Sequence, residues 1–282
     1  MGYTIKEINK DMKEKISVKK GDVQETLLLP LWGRAFETQK NNPRLIDNKA
    51  LEIVEKLDYD FSGIADTQAM SQHGWVARSL HTDKMARNFI KKHPNAAIVN
   101  IGCGMDTTFS RIDNGEITFY ELDLPDVIEL RKHFFQDSER HKSIALSFLD
   151  TKWFEQISVK NGLLLLAGGV FYYFEEEQIK NFFIAVADYF GICDVYFDSL
   201  SPMGIKIAKK KVLKSGGMGS VATVGWGLKP VQSLEKWDKR IKVISATPMH
   251  KGVKKAIPLR AKMILSIPDI LGVCSMVHVR MA

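Results

Sequence analysis

Cysteine is scarce: Cys103, Cys193 and Cys274 are an odd, widely spaced set in 282 residues. Each lies in an apolar, strand-like run, so the set implies neither a disulfide framework nor a metal centre, and reduced, mostly buried thiols are expected. No stretch approaches the roughly 18 uninterrupted apolar residues of a bilayer span. The opening MGYTIKEINKDMKEKISVKK has no apolar segment of the signal-peptide kind. A cytoplasmic protein with no membrane partner is therefore expected. Internal repeats are missing too. The lysine-rich stretches have no interleaved aromatics or recognisable nucleic-acid motif, which argues against a nucleic-acid partner.

The composition itself, 45% hydrophobic and 26% charged, is that of an ordinary globular chain and predicts one large domain. The net charge of +7 is unevenly spread: residues 201–282 carry 13 lysines and 3 arginines against 3 acids, a net +13, which leaves −6 for residues 1–200. Two readings follow from that excess: a solvated face around KIAKKKVLK, or attraction of an acidic substrate or partner.

Periodicity divides the chain into a helical front and an alternating body. In IDNKALEIVEKL, Asp47 stands as an N-cap before the helical spacing of Leu51, Val54 and Leu57, and SLHTDKMARNFIKKH continues as a helix that Pro94 stops. Strand and helix patterns then alternate: AAIVNIG, EITFYELD, a helix from Asp126 to about Arg140, SIALSFL, GLLLLAGG, a helix from Glu175 to Phe190, and CDVYFDSL. That order predicts a mostly parallel sheet covered by helices on both faces. Ile179, Phe182, Phe183, Val186, Ala187 and Phe190 share one helical face and read as core. A lysine-rich helix near 202–214, the glycine-rich SGGMGSVATVGWG and two late strands follow. With no helix-sized apolar pattern between them, those strands are expected to pair antiparallel at a sheet edge. The domains expected are a helical lid over 1–93 and a core over 94–282, compact as one unit.

The stretch VNIGCGMDTTFSRI places Gly102 and Gly104 where the first strand of that body ends. An open parallel sheet binds its ligand at the carboxyl ends of its strands, and glycines let backbone approach it closely. Asp123 ends the second strand, 19 residues after Gly104, where a carboxylate accepts hydrogen bonds from both hydroxyls of a ribose. A nucleoside cofactor follows. The third position of a dinucleotide fingerprint holds Thr107, which disfavours a nicotinamide dinucleotide; S-adenosylmethionine, lacking a pyrophosphate, makes no such demand.

At IVNIGCGMDTTFSRI, FYELDLPDVIELRK and LLLLAGGVFYYFEEEQ the chain closely resembles the leucine carboxyl methyltransferase family, which spans protein phosphatase methyltransferases and tetracenomycin-type polyketide O-methyltransferases. G-x-G-x-D-T and E-x-D-x-P occur in the family's order and spacing, and the resemblance covers roughly residues 25–200. It implies an α/β class I methyltransferase fold, a mostly parallel seven-stranded sheet with an antiparallel last strand and an N-terminal helical lid. It also implies methylation of an oxygen, often a carboxylate, with S-adenosylmethionine as cofactor and S-adenosylhomocysteine as product.

Position by position, the resemblance lays Gly102 against the methionine part of the cofactor and Asp123 at the ribose, and counts Cys103, Gly104, Asp106 and Leu124 among the cofactor-binding residues. It pairs Arg78 with the cofactor carboxylate, a task suited to a bidentate guanidinium, and brings Arg34 from the helical front. Phe148 flanks the adenine, with Ser147 aligned to a family acid and Asp150 three residues on. Gly168 stands where family members commonly carry an acid, so one carboxylate near the cofactor is missing. Tyr173 is the candidate for facing the acceptor, with Tyr172 on the opposite side of an extended segment. The sulfonium methyl is already activated, so alignment and water exclusion dominate and no metal is required. His73 would serve as a base only for a phenol or alcohol, and otherwise reads as a surface or capping residue. The acceptor expected is a carboxylate or hydroxyl of a small acidic, phenolic or polyketide-like metabolite, or a protein carboxyl group. A nicotinamide-dependent oxidoreductase and a non-catalytic cofactor-binding member of the fold are the alternatives.

Overall fold

The computed structural model of the chain describes residues 15–18, 23–212 and 225–282. Most of the lysine-rich arm 1–20, the end of the expected 202–214 helix and the glycine-rich stretch up to residue 224 lie outside the described residues. At the front, β1 (Ile16–Ser17) and β2 (Leu57–Asp58) form a small parallel pair beside α1 (Val23–Thr38), α2 (Asn48–Lys56) and the long α3 (Ser62–Lys92). The Asp47 side chain caps α2 by accepting from the Ala50 amide.

The body is a seven-stranded sheet built from β3 (Ala97–Ile101), β4 (Thr118–Asp123), β5 (His141–Ala145), β6 (Leu163–Ala167), β7 (Cys193–Leu200), β8 (Ile241–Pro248) and β9 (Cys274–Met281), in the order β5-β4-β3-β6-β7-β9-β8. The first five strands pair in parallel. β9 is antiparallel to both β7 and β8. The late strands therefore do pair antiparallel, with the last strand inserted between β7 and β8. The mostly exposed β8 is left at the edge, where a bulge between Val243 and Ser245 interrupts the register.

Every residue of β3 and β6 is buried, as the wholly apolar run of β6 and that of β3, broken only by Asn100, require of central strands covered on both faces. On one face Val99, Leu165 and Phe197 pack with Ile179, Phe182, Phe183, Val186 and Ala187 of α6 (Glu176–Phe190). On the other, Ile98, Phe119 and Leu164 pack with Phe89 and Ile90 of α3. Met105, Leu130 and Phe134 bury with Leu28, Leu31 and Ile53 of the front, so α1 and α2 share a core with the first two crossovers.

Three helical expectations change. α5 runs only from Pro125 to Lys132, because the Asp137 and Ser138 side chains beyond it accept from the Arg140, His141 and Ser143 amides and compete with helix. α7 stops at Pro202–Ile207, before a wider π turn over Ala208–Val212. A helix does lie between the late strands: α8 (Leu259–Ile270), whose Leu265 alone is buried while Leu259, Met263, Ile267 and Ile270 face outward. Apolar residues on the outer face erase the amphipathic period by which such a helix is read.

Candidate active site

The order of the sheet reverses at β3, whose neighbours are β4 on one side and β6 on the other, and a crevice opens at the carboxyl ends of such strands. The cleft found there is walled by the Gly102–Asp106 loop, by Gly168, Gly169, Tyr172 and Tyr173 after β6, by Arg34 of α1, and by Trp75 and Arg78 of α3. α4 (Thr108–Ile112) follows the loop. Gly102 has φ +59°, and a Cβ there would stand 2.5 Å from Val170 Cγ2. The bare backbone thus allows both the turn and the close packing of the two loops.

Asp123 accepts at Oδ2 from the Gly104 amide at 2.7 Å and at Oδ1 from the Leu124 amide at 2.8 Å, so the second strand's acid ties down the glycine loop directly. Burial pushes its carboxyl up, against the pull of those two amides. Leu124 is exposed beside it, and neither residue lines the cleft. Asp106 does line it, accepting from Asn100 Nδ2 at 3.0 Å and the Thr108 amide at 3.3 Å. Burial opposes its ionisation, but the Arg34 and Arg111 guanidiniums hold it at about 2. The Cys103 thiol, raised by burial, stays neutral.

Arg34 is spent within the fold: Nε donates to Asp47 at 2.9 Å and Nη2 to the Met105 carbonyl at 2.7 Å, bracing the glycine loop from α1. Arg78 reaches between the strand ends. Its Nε donates to Asp198 Oδ2 at 3.0 Å, and Nη2 lies 2.8 Å from the same oxygen and 3.2 Å from the Tyr172 hydroxyl. The Asp198 Oδ1 accepts from the Gly169 amide at 2.6 Å. A Cβ on Gly168 would stand 3.1 Å from Arg78 Cδ, and one on Gly169 2.7 Å from Nη1. The guanidinium therefore lies on bare backbone where the resemblance leads one to expect an acid, and the carboxylate beside it comes from β7.

The aromatic turn departs from expectation. Phe171–Tyr173 is a short 3-10 helix rather than an extended segment, so Tyr172 and Tyr173 do not alternate; their rings sit 4.7 Å apart and both line the cleft. Burial raises both phenols, leaving them neutral. Phe148 is buried among Phe171, Phe174 and Phe182. Ser147 accepts from the Leu149 amide and Asp150 caps the short helix Thr151–Gln156, and none of these three lines the cleft. His73 lies within α3, 2.9 Å from Arg44 Nη2 and away from the cleft lining. Trp32 stacks on Phe36 and does not line the cleft.

Sequence reasoning missed Asp198, Tyr172 as a wall of the cleft, and the pair Asn100 and Arg111. Asp198 carried one signal, an acid near the carboxyl end of a parallel strand. No group of three or more His, Cys, Asp or Glu suited to a metal occurs among the described residues. None of the described helices is long and apolar enough to cross a membrane.

Residues 28–187 match the family model for leucine carboxyl methyltransferase. The tetracenomycin polyketide synthesis O-methyltransferase TcmP of Streptomyces glaucescens is 31% identical over 216 residues, covering 76% of this chain and 78% of the relative. An S-adenosyl-L-methionine-dependent methyltransferase of Gibberella zeae, dpfgK, is 30% identical over 123 residues, 40% of this chain and 41% of that protein. Among solved structures, a DUF574-family protein of Streptomyces avermitilis superposes with a TM-score of 0.58 at 8% identity, covering 89% and 97% of the two chains, and bears on the fold alone. These matches decide against the nicotinamide alternative, and the strand order agrees with them: the chain belongs to the leucine carboxyl methyltransferase family and is an S-adenosylmethionine-dependent methyltransferase of the class I fold.

Proposed function

We propose that the chain is an O-methyltransferase acting on a carboxylate, or a comparably acidic hydroxyl, of a small acidic or polyketide-like metabolite. The observation that carries this is the lack of a competent base. The ionisable side chains among the described residues of the cleft are Arg34, Arg78, Cys103, Asp106, Tyr172 and Tyr173. Burial keeps Cys103 and both tyrosines protonated, and Asp106 near 2 is too weak a base to ionise an alcohol. The oxygen that accepts the methyl must therefore arrive ionised, or nearly so, as a carboxylate does. The named activity of the Streptomyces glaucescens relative, a polyketide O-methyltransferase, supports the same reading.

The residues present fit the cofactor. The Gly102–Gly104 backbone lines the cleft for its amino-acid portion, Arg78 offers Nη1 to the carboxylate, and Asp123 beside Leu124 keeps lone pairs for the ribose hydroxyls. Phe148, Ser147 and Asp150 lie outside the cleft lining and would reach the adenine only from behind its wall, while Gly168 clears the way for Arg78, and Asp106 and Arg34 set the shape of the loop. Bound there, S-adenosylmethionine supplies a methyl group already activated on sulfonium. The protein's part is to orient the acceptor beside Tyr173 and Tyr172 and to exclude water, with the described front helices α1, α2 and α3 acting as a lid.

The test is incubation with S-adenosylmethionine and three sets of acceptors, namely aryl carboxylic acids, phenols and peptides with free carboxyl groups. Gain of one CH2 in mass, removed again as methanol by mild alkali, marks a methyl ester; resistance to alkali marks an ether. Methylation confined to peptides would move the acceptor to a protein carboxyl, and methylation confined to nitrogen would refute the proposal.

A further inference from the structure

Asp198 is 1% exposed, and a carboxylate so buried costs several kcal/mol unless it is paired and hydrogen-bonded. Its pairing is lopsided. Oδ2 takes both Nε and Nη2 of Arg78, while Oδ1 takes the Gly169 amide. Among the described residues no second cation forms a salt bridge with it. One edge of the Arg78 fork is thereby fixed, with the Tyr172 hydroxyl as a second brace on Nη2. The remaining nitrogen, Nη1, lies over Gly169 on the cleft wall, and the Arg78 side chain keeps 19% exposure.

A core ion pair with no further task would bury both partners. Here the carboxylate is inside and the guanidinium borders the cleft, which is the arrangement of a support and the group it supports. The glycines fit the same picture. A Cβ at 168 would crowd Cδ of Arg78 and one at 169 would displace Nη1, so bare backbone after β6 suits this placement of the guanidinium.

We infer that Asp198 is a positioning residue of the methyl-transfer site: from β7 it holds Arg78 so that Nη1 is presented to the carboxylate of the cofactor, replacing from the neighbouring strand the acid that Gly168 lacks. The inference rests on the reading that Arg78 receives that carboxylate. Asp198 touches no ligand in this scheme. Its effect is confined to ligands that carry the carboxylate.

Calorimetry with two nucleosides tests it: S-adenosylhomocysteine, which has the amino-acid carboxylate, and 5′-methylthioadenosine, which lacks it. Asp198→Asn keeps an oxygen for the Gly169 amide and removes the charge that orients Arg78. It is expected to weaken S-adenosylhomocysteine by about tenfold or more while leaving methylthioadenosine within about twofold. Arg78→Ala should show the same selectivity, and Asp198→Asn added to Arg78→Ala should cost little more, because the two act as one unit. If Asp198→Asn loses both nucleosides alike, through unfolding or otherwise, Asp198 is only structural and the inference is overturned. It is also overturned if Arg78→Ala is selective and Asp198→Asn binds as wild type. If Arg78→Ala itself binds S-adenosylhomocysteine as tightly as wild type, the reading of Arg78 fails and the inference falls with it.

Discussion

Asp47 and Arg111 meet at 2.7 Å inside the molecule although 64 residues separate them in the chain. The same Asp47 oxygen also accepts from Arg34 Nε and from the Thr107 hydroxyl, while Oδ1 caps α2 through the Ala50 amide. Arg111 in turn forks onto Asp83 of α3 through Nε and Nη2, both at 2.9 Å. One buried carboxylate thus joins the front helices to the turn that starts α4, just behind the glycine loop.

Asp47→Ala should therefore cost about 3–5 kcal/mol of stability, since it leaves the buried Arg34 without its carboxylate, takes one of two carboxylates from Arg111 and removes a helix cap together. Asp47→Asn, which keeps the cap, should cost less. Urea denaturation checks the order; equal, small losses for both variants would show that the network contributes little.

Asp123→Ala frees the Gly104 and Leu124 amides at once. If the carboxylate also holds the ribose, S-adenosylhomocysteine should weaken by about 1.5–3 kcal/mol, on the order of 10- to 150-fold. Titration calorimetry against the free adenosine moiety and the full ligand should show the loss for both, in contrast to the carboxylate-selective loss expected at Arg78.

Gly102→Ala places a Cβ 2.5 Å from Val170 Cγ2 at a backbone φ of +59°. The left-handed conformation costs about 1–2 kcal/mol and the crowding about 1–3 more. Val170→Ala should recover the second part and not the first. A double variant as stable as wild type would mean that the turn itself carries no strain.

Acid should weaken the front. Burial and then the Arg44 charge depress the His73 ring to about 4, with Lys40 acting in the same sense and Glu37 against it. Burial depresses His81 and His250 as well. Between the ordinary value of 6.5 and about 4, the unfolded chain binds a proton that folded His73 refuses, so stability falls as pH falls through that window. The loss from His73 is on the order of 2 kcal/mol, and His73→Gln should remove it from the difference between urea midpoints at pH 7.5 and 4.5. Asp106, held near 2, adds its own loss only below about pH 4.

Much of the fold was legible because it rests on local and periodic signals. The wholly apolar β6 and the largely apolar β3 announce central strands, the stripe on α6 announces a core helix, and Asp47 announces a helix start. Two glycines after the first strand of the body mark the strand end at which the cleft opens. The exposed apolar face of α8 hid a helix, since periodicity reports burial and that face is not buried.

What only the tertiary structure decided is which distant groups meet. The register of β7 against β6 sets Asp198 beneath Gly169, where Arg78 arrives from a helix more than a hundred residues earlier. A 3-10 turn, not an extended strand, turns Tyr172 onto the same guanidinium. Arg34 braces the glycine loop from α1, and the last strand inserts itself between β7 and β8. Residue type and spacing report what a side chain is and which face of its own element it occupies. Its partner across the sheet is set by pairing order and register, whose energies come from contacts between segments far apart in the chain.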